Sequence, residues 1–247
     1  MNAARKSDTH DTHDAHDAHD AHDGNALAAW LDSRSALMDA ALLERARQTA
    51  LVWARRDGHR RYIDDHDARR DAVRAQRMVT ALRATRERAQ ERPSLDVAAL
   101  VALASIALAA RPELRSGAAF AKSGGEIYDV GGTVLLARFP YVLAEIDDAA
   151  VPLIVRAARV YLDVCFFHPL VDGNARAARL ACDFVLSRGG VRFDLVAPMF
   201  CVARPAADGR AHQSLVNVMC TLADATARRL EQSLHHRDHT TDKETAT

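Results

Sequence analysis

The sequence predicts a mostly α-helical protein with one small β-hairpin. Apolar residues recur at helical spacing over most of residues 26–110 and 147–234. The exception is 112–141, where several glycines accompany two short β-prone runs. Hydrophobic residues make up 49% of the 247 residues and aromatic residues only 5%, so the helices must pack mainly through Ala, Leu and Val.

Residues 1–25 form a separate low-complexity segment. The triplet Asp-Thr/Ala-His repeats from Asp8 to His22, and it contains no apolar residue larger than Ala. Such a segment cannot bury enough surface to fold, so we expect it to be disordered. Its histidines could chelate Ni²⁺ or Zn²⁺, but a repeat expansion with incidental metal affinity is the simpler interpretation.

The charge balance and the cysteines limit the possible classes of protein. Lys+Arg and Asp+Glu both number 33, and a nucleic-acid-binding domain usually carries a basic excess, so nucleic acid is disfavoured as a partner. The four cysteines form no Cys-x-x-Cys pair, which favours buried thiols in a reducing compartment. No signal peptide or membrane-length apolar run is evident, so we expect a cytoplasmic location without membrane contact.

The N-terminal region, 26–110, is predicted to be helical and to pack on the core. Gly58 and Pro93 divide it into three helical segments. The middle segment, 64–91, is dense in Arg and Asp with a thin apolar stripe, which is typical of an exposed amphipathic helix. Ser94 is the predicted N-cap of the third segment, a buried core helix.

A β-hairpin is predicted between this region and the next helices. The β-prone runs 127–130 and 133–136 flank Gly131 and Gly132, and two such runs joined by Gly-Gly are typical of a hairpin. The exposed edge of a hairpin can bind an extended peptide by strand addition. Taken alone, a plain surface hairpin is the simpler interpretation.

Two helices are predicted on either side of a short polar turn. The first is capped by Asp147 or Asp148 and continues to Phe167. The second, 174–188, ends at the two glycines that follow it.

The C-terminal part of the chain is predicted to hold one more helix, over about 208–234. An irregular apolar connection precedes this helix. We therefore predict a core over 111–234, followed by a flexible tail over 235–247.

The turn between the paired helices concentrates chemically useful groups. His168 has the pKa range of a general base, and Asp172 offers a hard oxygen ligand for a divalent cation. Gly173 and Asn174 open the second helix, so its first N–H groups and its dipole point into the turn and favour an anion.

Two arginines follow in the first turns of that helix. Arg176 and Arg179 are three residues apart and share a helical face, where their fixed charges suit a polyphosphate. Taken singly, these side chains would be a helix cap, a turn or a solvated face. Their combination at this spacing, between two strong helices, favours a functional site.

The segment from His168 to Arg179 resembles the signature of the Fic (filamentation induced by cAMP) family, H-x-F-x-D/E-G-N-G-R-x-x-R. Leu170 stands where Phe is usual, and Ala175 stands where the second Gly is usual. The resemblance implies a Fic-like helical bundle with a β-hairpin flap that holds the target protein. The matching positions are His168, Asp172, Gly173, Asn174, Arg176 and Arg179.

The resemblance also implies an activity, the transfer of AMP from ATP to a Ser, Thr or Tyr hydroxyl of a target protein. His168 would be the catalytic base, and Asp172 would bind Mg²⁺. The backbone at Gly173–Ala175, with the Asn174 side chain, would hold the α-phosphate, and the two arginines would hold the distal phosphates. The implied nucleotide-binding set is Gly173, Asn174, Ala175, Arg176 and Arg179. The implied target-binding flap is Ile127, Tyr128, Val130, Gly131, Gly132 and Val134.

Alternatives to AMP transfer remain open at this stage. Death-on-curing toxins share the implied fold and transfer a phosphate, but they usually carry Lys near the position of Ala175. A non-catalytic helical interaction module with a decayed motif and a helical nucleic-acid binder are the others.

Control of the activity is a separate expectation. Many Fic proteins carry an inhibitory S/T-x-x-x-E-G/N pattern, which here is approached only at Thr240–Glu244, followed by Thr245. The sequence therefore predicts no built-in inhibitory Glu, and a separate, antitoxin-like inhibitory protein is a possible partner.

Overall fold

The computed structural model describes residues 28–91, 94–117, 119–120, 127–128, 137–204 and 208–244, with the backbone alone for 119–120, 127–128 and 236–244. The N-terminal Asp-x-His repeat and Pro93 lie outside the described residues. The described chain is helical with two short strands, which confirms the predicted mostly α class.

Ten helices are described, in chain order: α1 (28–35), α2 (Ala40–Gln48), α3 (Gly58–Tyr62), α4 (Ala72–Gln90), α5 (Val97–Leu108), α6 (Phe139–Ala144), α7 (Leu153–Phe167), α8 (Asn174–Arg188), α9 (Ala197–Phe200) and α10 (Ala211–Glu244). Single turns of 3₁₀ helix, Ala36–Met38 and Glu145–Asp147, follow α1 and α6. A π-helical turn, Ile63–Asp67, continues α3. The strands β1 (Ala119–Phe120) and β2 (Ile127–Tyr128) pair antiparallel.

Helix α8 lies at the centre of the described fold. Nearly all of its residues from Asn174 to Leu186 are buried, and it packs against α7, α4 and α5. The small side chains of Ala177, Ala178 and Ala181 are fully buried and let the neighbouring helices approach closely. Side chains near the N-terminus of α8 are therefore carried by the most enclosed helix of the protein.

A buried charge network attaches α3 and α4 to this central helix. Asp183 of α8 accepts hydrogen bonds from Arg86 of α4, at 2.9 Å and 3.0 Å, and lies 3.1 Å from the ring Nδ1 of His59 in α3. Burial alone would raise the pKa of Asp183, but the His59 and Arg86 contacts hold it well below its ordinary range. Arg86 also binds Asp57, the N-cap of α3, so the network sets the position of α3 and of the π-helical turn that follows.

Aromatic side chains attach α1 to the end of α7. Trp30 stacks on Phe166 with ring centroids 5.0 Å apart and meets Phe167 edge-on at 5.1 Å. Phe167 is fully buried and is the last residue of α7. The backbone that leads into His168 is therefore supported by the hydrophobic core.

Three helix boundaries differ from those predicted from the sequence. Gly58 begins α3 instead of ending a helix, because a Cβ there would lie 2.5 Å from the Leu195 backbone nitrogen. The N-cap of α5 is Asp96, whose carboxylate accepts from the Ala99 N–H, and not Ser94. Residue Pro152 precedes α7 directly, and no side-chain cap is present there.

Two further expectations about helices were wrong. Helix α4 is not a fully exposed helix, since one face, including Met78 and Leu82, is buried against α8 and α5. Helix α10 continues to Glu244, through the stretch predicted to be a flexible tail from His235. Periodicity detected both helices, but the exposure of a face and the end of a polar helix depend on packing.

The predicted hairpin is described only in part. Ile127 and Tyr128 form a strand, and its described partner is Ala119–Phe120, upstream of the predicted partner. The remaining predicted flap residues, Val130, Gly131, Gly132 and Val134, lie outside the described residues.

Candidate active site

The predicted motif forms the connection between α7 and α8. His168 ends α7 in a left-handed conformation, with φ 45° and ψ 53°, which is uncommon for a residue with a Cβ. The next residue is Pro169, which has no N–H to continue the helix and disfavours the right-handed helical conformation at His168. The chain therefore leaves α7 sharply at the residue predicted to be the base.

Gly173 is required where α8 begins. Its φ is 88°, and a Cβ at this position would lie 2.9 Å from Cδ1 of Leu108. Both the left-handed backbone and the close approach of α5 need a residue without a side chain. Leu170, where the Fic signature has Phe, is 1% exposed and is therefore a core residue of the loop.

The Asn174 side chain has a role different from the predicted one. Its Oδ1 accepts from the Leu170 N–H at 2.9 Å, and its Nδ2 donates to the Leu170 carbonyl at 2.6 Å. Both ends of the buried amide are thus used to close the loop, which corrects the expectation that this side chain holds the α-phosphate. The first N–H groups of α8, around Ala175, remain the predicted anion-binding atoms, and Ala175 is exposed at this helix end.

The ring of His168 is oriented as a proton acceptor. Its Nδ1 lies 2.7 Å from the Cys165 carbonyl oxygen, which can only accept, so Nδ1 carries the proton and Nε2 presents its lone pair. Burial lowers the pKa of His168 from its usual 6.5, and the charge of Arg115 lowers it further, against an opposite effect of the Cys165 carbonyl. The ring is therefore neutral at pH 7, as a general base must be.

Both motif arginines are buried and held inside the protein. Arg176 is 9% exposed and donates to the Ala107 carbonyl and to Asp172 Oδ2, each at 3.3 Å. Arg179 is 8% exposed and donates to Asp67 Oδ2 at 2.8 Å. The alternative of a solvated helix face is wrong for both side chains. Their charges are oriented by the fold before any anion arrives.

Asp67 is a site residue that sequence reasoning missed. It ends the π-helical turn after α3, and its carboxylate holds Arg179 while the guanidinium lies 5.3 Å from the Tyr62 ring. The neighbouring Asp64 and Asp65 pair with Arg60 and Arg61 four residues away, which helical spacing does indicate. The partner of Asp67 is 112 residues away, and no local pattern marks such a pair.

Asp172 fits the predicted role of a magnesium ligand. Its side chain is 52% exposed, and one carboxylate oxygen lies 3.3 Å from Arg176. Among the described residues, His, Cys, Asp and Glu form no cluster of three that could hold a metal ion. Mg²⁺ commonly binds through one or two carboxylates, with substrate phosphates and water completing its shell, so a single carboxylate beside a phosphate site suits it.

Of the described structure around this loop, the following is then established. The motif brings His168, Asp172, Arg176 and Arg179 into one connection at the N-terminus of α8. The described flap strand, Ile127–Tyr128, is a separate element whose side chains are not described.

Comparisons with known proteins agree with this architecture. A model of the Fic/DOC family matches residues 94–186, which include α5, α7 and the motif. Among solved structures, "Fic-1 (aa134 - 508) from C. elegans" is similar, with a TM-score of 0.51 and 15% identity over 88% of this chain and 74% of that chain. At this identity the likeness shows the fold, a Fic-like helical bundle. No curated protein shows significant sequence similarity to the chain.

Two more general observations complete the description of the site and its surroundings. None of the helices in the described part of the chain combines the length and the hydropathy needed to cross a membrane. All four cysteines are free thiols, and burial raises the pKa of Cys165 to about 12 beside the motif.

Proposed function

Because residues 94–186 form a Fic domain, we propose that this protein transfers AMP from ATP to a Ser, Thr or Tyr hydroxyl of a target protein. Membership supports a Fic-type transferase in general, and the finer statement rests on the chemistry of the loop. ATP is the proposed co-substrate and Mg²⁺ the proposed cofactor.

The observation that carries this proposal is the orientation of His168 in the motif loop. Its Nδ1 is committed to the Cys165 carbonyl, so Nε2 is the atom that can take a proton. The same loop opens α8, whose free N–H groups favour an anion, and Arg176 and Arg179 lie in the first turns of that helix. A proton acceptor beside a built polyphosphate site suits attack by a hydroxyl group on a phosphorus atom.

The proposed reaction is a single displacement. The target hydroxyl oxygen attacks the α-phosphorus of ATP, and its proton passes to Nε2 of His168. The bond from the α-phosphorus to the bridging oxygen breaks, and pyrophosphate leaves with the electron pair. The first N–H groups of α8 and the guanidinium groups of Arg176 and Arg179 stabilise the charge that gathers on the phosphates. Asp172 would hold Mg²⁺, which when bound neutralises part of the phosphate charge.

The partners follow from the same proposal. A target segment carrying the hydroxyl would add to the exposed edge of the β1–β2 ribbon as an extra strand. A separate, antitoxin-like protein that supplies an inhibitory Glu remains a possible regulator. The carboxylate already present on Arg179, from Asp67, is a feature that such a partner would have to replace.

Labelled ATP distinguishes this function from its alternatives. The protein is incubated with Mg²⁺, cell lysate and ATP labelled at either the α- or the γ-phosphate. Transfer of the α-label means nucleotidylation, and transfer of the γ-label means phosphorylation of the death-on-curing type. ATP binding without transfer of either label would support a non-catalytic module.

Replacement of the base gives a sharper test. His168→Ala should lower α-label transfer by roughly 10²–10⁴-fold, the usual contribution of a general base, while ATP binding is kept. The matched control is His235→Ala, which removes an exposed histidine of α10. Transfer by His168→Ala within a few-fold of the unmodified protein would exclude the proposed role.

A further inference from the structure

A short backbone pairing attaches the motif loop to the chain after α5. The Arg115 N–H donates to the Pro169 carbonyl, and the Val171 N–H donates to the Glu113 carbonyl, both at 3.0 Å. Leu114 and Leu170 face each other as an isolated antiparallel bridge. The segment around Arg115 therefore lies directly alongside the loop that carries His168.

The Arg115 side chain continues this contact at the end of α7. It is 7% exposed, and its Nε donates to the His168 carbonyl at 2.8 Å. Its Nη2 donates to the Phe167 carbonyl at 2.8 Å, and its Nη1 donates to the Gly117 carbonyl at 2.6 Å. One buried guanidinium thus binds the carbonyls of the two consecutive residues at which α7 ends.

The physical basis of this contact is the chemistry of a helix C-terminus. The last carbonyls of α7 lack partners within the helix, and they carry the negative end of its dipole. A planar guanidinium with five donors can bind adjacent carbonyls at once and also supplies the opposite charge. The left-handed conformation of His168, unfavourable for a residue with a Cβ, needs such support from its surroundings to persist.

We propose that Arg115 is a positioning residue for His168: by binding the Phe167 and His168 carbonyls it holds the left-handed turn in which Nδ1 of the His168 ring donates to Cys165 and Nε2 accepts the proton. The proposal rests on the proposed function for its catalytic consequence. The effect on the ring itself does not depend on that function.

The test compares Arg115→Met, Arg115→Lys and a matched control. Arg192→Met is the control, because Arg192 also donates to main-chain carbonyls, those of Ala54 and Arg55, far along the chain from the motif. The first readout needs no activity: nitrogen-15 NMR of the His168 ring, assigned with His168→Gln, reports which ring nitrogen carries the proton. The second readout is kcat and the KM for ATP, measured separately.

We expect the unmodified protein and Arg192→Met to show a ring protonated at Nδ1. In Arg115→Met that preference should be lost, and kcat should fall by about 10–10²-fold, the scale of a misplaced catalytic group, while the KM for ATP changes by less than about 3-fold. Arg115→Lys keeps the charge but not the fork, so its values should lie between those of Arg115→Met and the unmodified protein.

Two results would overturn the proposal. One is a ring in Arg115→Met that stays protonated at Nδ1 with kcat unchanged. The other is an equal loss of kcat and of ATP binding, which would mean a purely structural role. If Arg115→Met does not fold, the same readouts on Arg115→Lys decide, since a ring and a kcat like those of the unmodified protein would contradict the proposal. If the unmodified protein transfers nothing, the NMR readout still decides the role of Arg115 while the proposed function fails by itself.

Discussion

Replacing Asp67 by Asn should strengthen the binding of ATP. Asp67 Oδ2 accepts from Arg179 Nη1 at 2.8 Å, and the two side chains are 18% and 10% exposed. Arg179 is the guanidinium assigned to the distal phosphates, so ATP must displace this carboxylate before it gains the arginine. The Asp67→Asn substitution keeps nearly the same side-chain shape while it removes the competing charge.

The magnitude follows from the kind of contact. A hydrogen bond between charged groups contributes about 1.5–3 kcal/mol, and about 1.4 kcal/mol corresponds to a tenfold change in affinity. Asp67→Asn should therefore lower the Kd for an ATP analogue by roughly 10–100-fold. AMP lacks the distal phosphates, so its Kd should stay nearly unchanged.

The assay is calorimetric titration with α,β-methylene-ATP and with AMP, in the presence of Mg²⁺. The matched control is Asp65→Asn, which removes the same charge from the same π-helical turn. Asp65 pairs with Arg61 on the surface, with side chains 47% and 65% exposed, and such pairs contribute little. Unchanged or weaker binding of the ATP analogue by Asp67→Asn would refute the reasoning, because it would show that Asp67 organises Arg179 without competing for it.

Three more predictions concern the same loop. Arg179→Ala should weaken ATP binding more than AMP binding, by about 1.5–3 kcal/mol for the difference, and equal losses in titration would show a structural role instead. Because His168 acts when neutral and burial lowers its pKa from 6.5, kcat/KM should persist as the pH falls to 6.5 and decline only below it; a decline centred above pH 6.5 would contradict this. Gly173→Ala should lower the free energy of unfolding by roughly 1–3 kcal/mol, because Ala must adopt φ 88° and its Cβ meets Leu108, and denaturant titration checks this. The control Gly209→Ala has open space around the new Cβ and should be nearly neutral.

The helices of the core were predictable because their signals are local. Helix α8 begins and ends within the predicted bounds, since a left-handed glycine opens it and a glycine pair follows it. The caps of α5 and α7 were less predictable, because Ser94, Asp96 and Asp148 are all acceptable caps by residue type. The structure selects among them by tertiary contact: Ser94 donates to Asp147 at 2.9 Å, and Asp148 accepts within its own turn, from the Ala150 N–H.

The site shows the same division. The residue types and spacing from His168 to Arg179 were enough to predict a base, a carboxylate and an anion-binding helix end, because one turn of chain places them together. The role of Asn174 was missed even though its partner, Leu170, is only four residues away. A phosphate-binding role and a loop-closing role demand the same residue type, and the sequence alone does not separate them.

What the sequence determined by itself is therefore the helical class, the pair of helices and the reactive loop between them. What only the tertiary structure decided is how that loop is held and restrained. Arg115 reaches the His168 carbonyl across 53 residues of sequence, and Asp67 reaches Arg179 across 112. Helical periodicity reports which face of a helix is apolar, but it carries no information about which distant polar group a buried arginine will meet. Those partners are set by the packing of α3, α5 and α7 around α8, which brings together side chains whose spacing along the chain has no regular pattern.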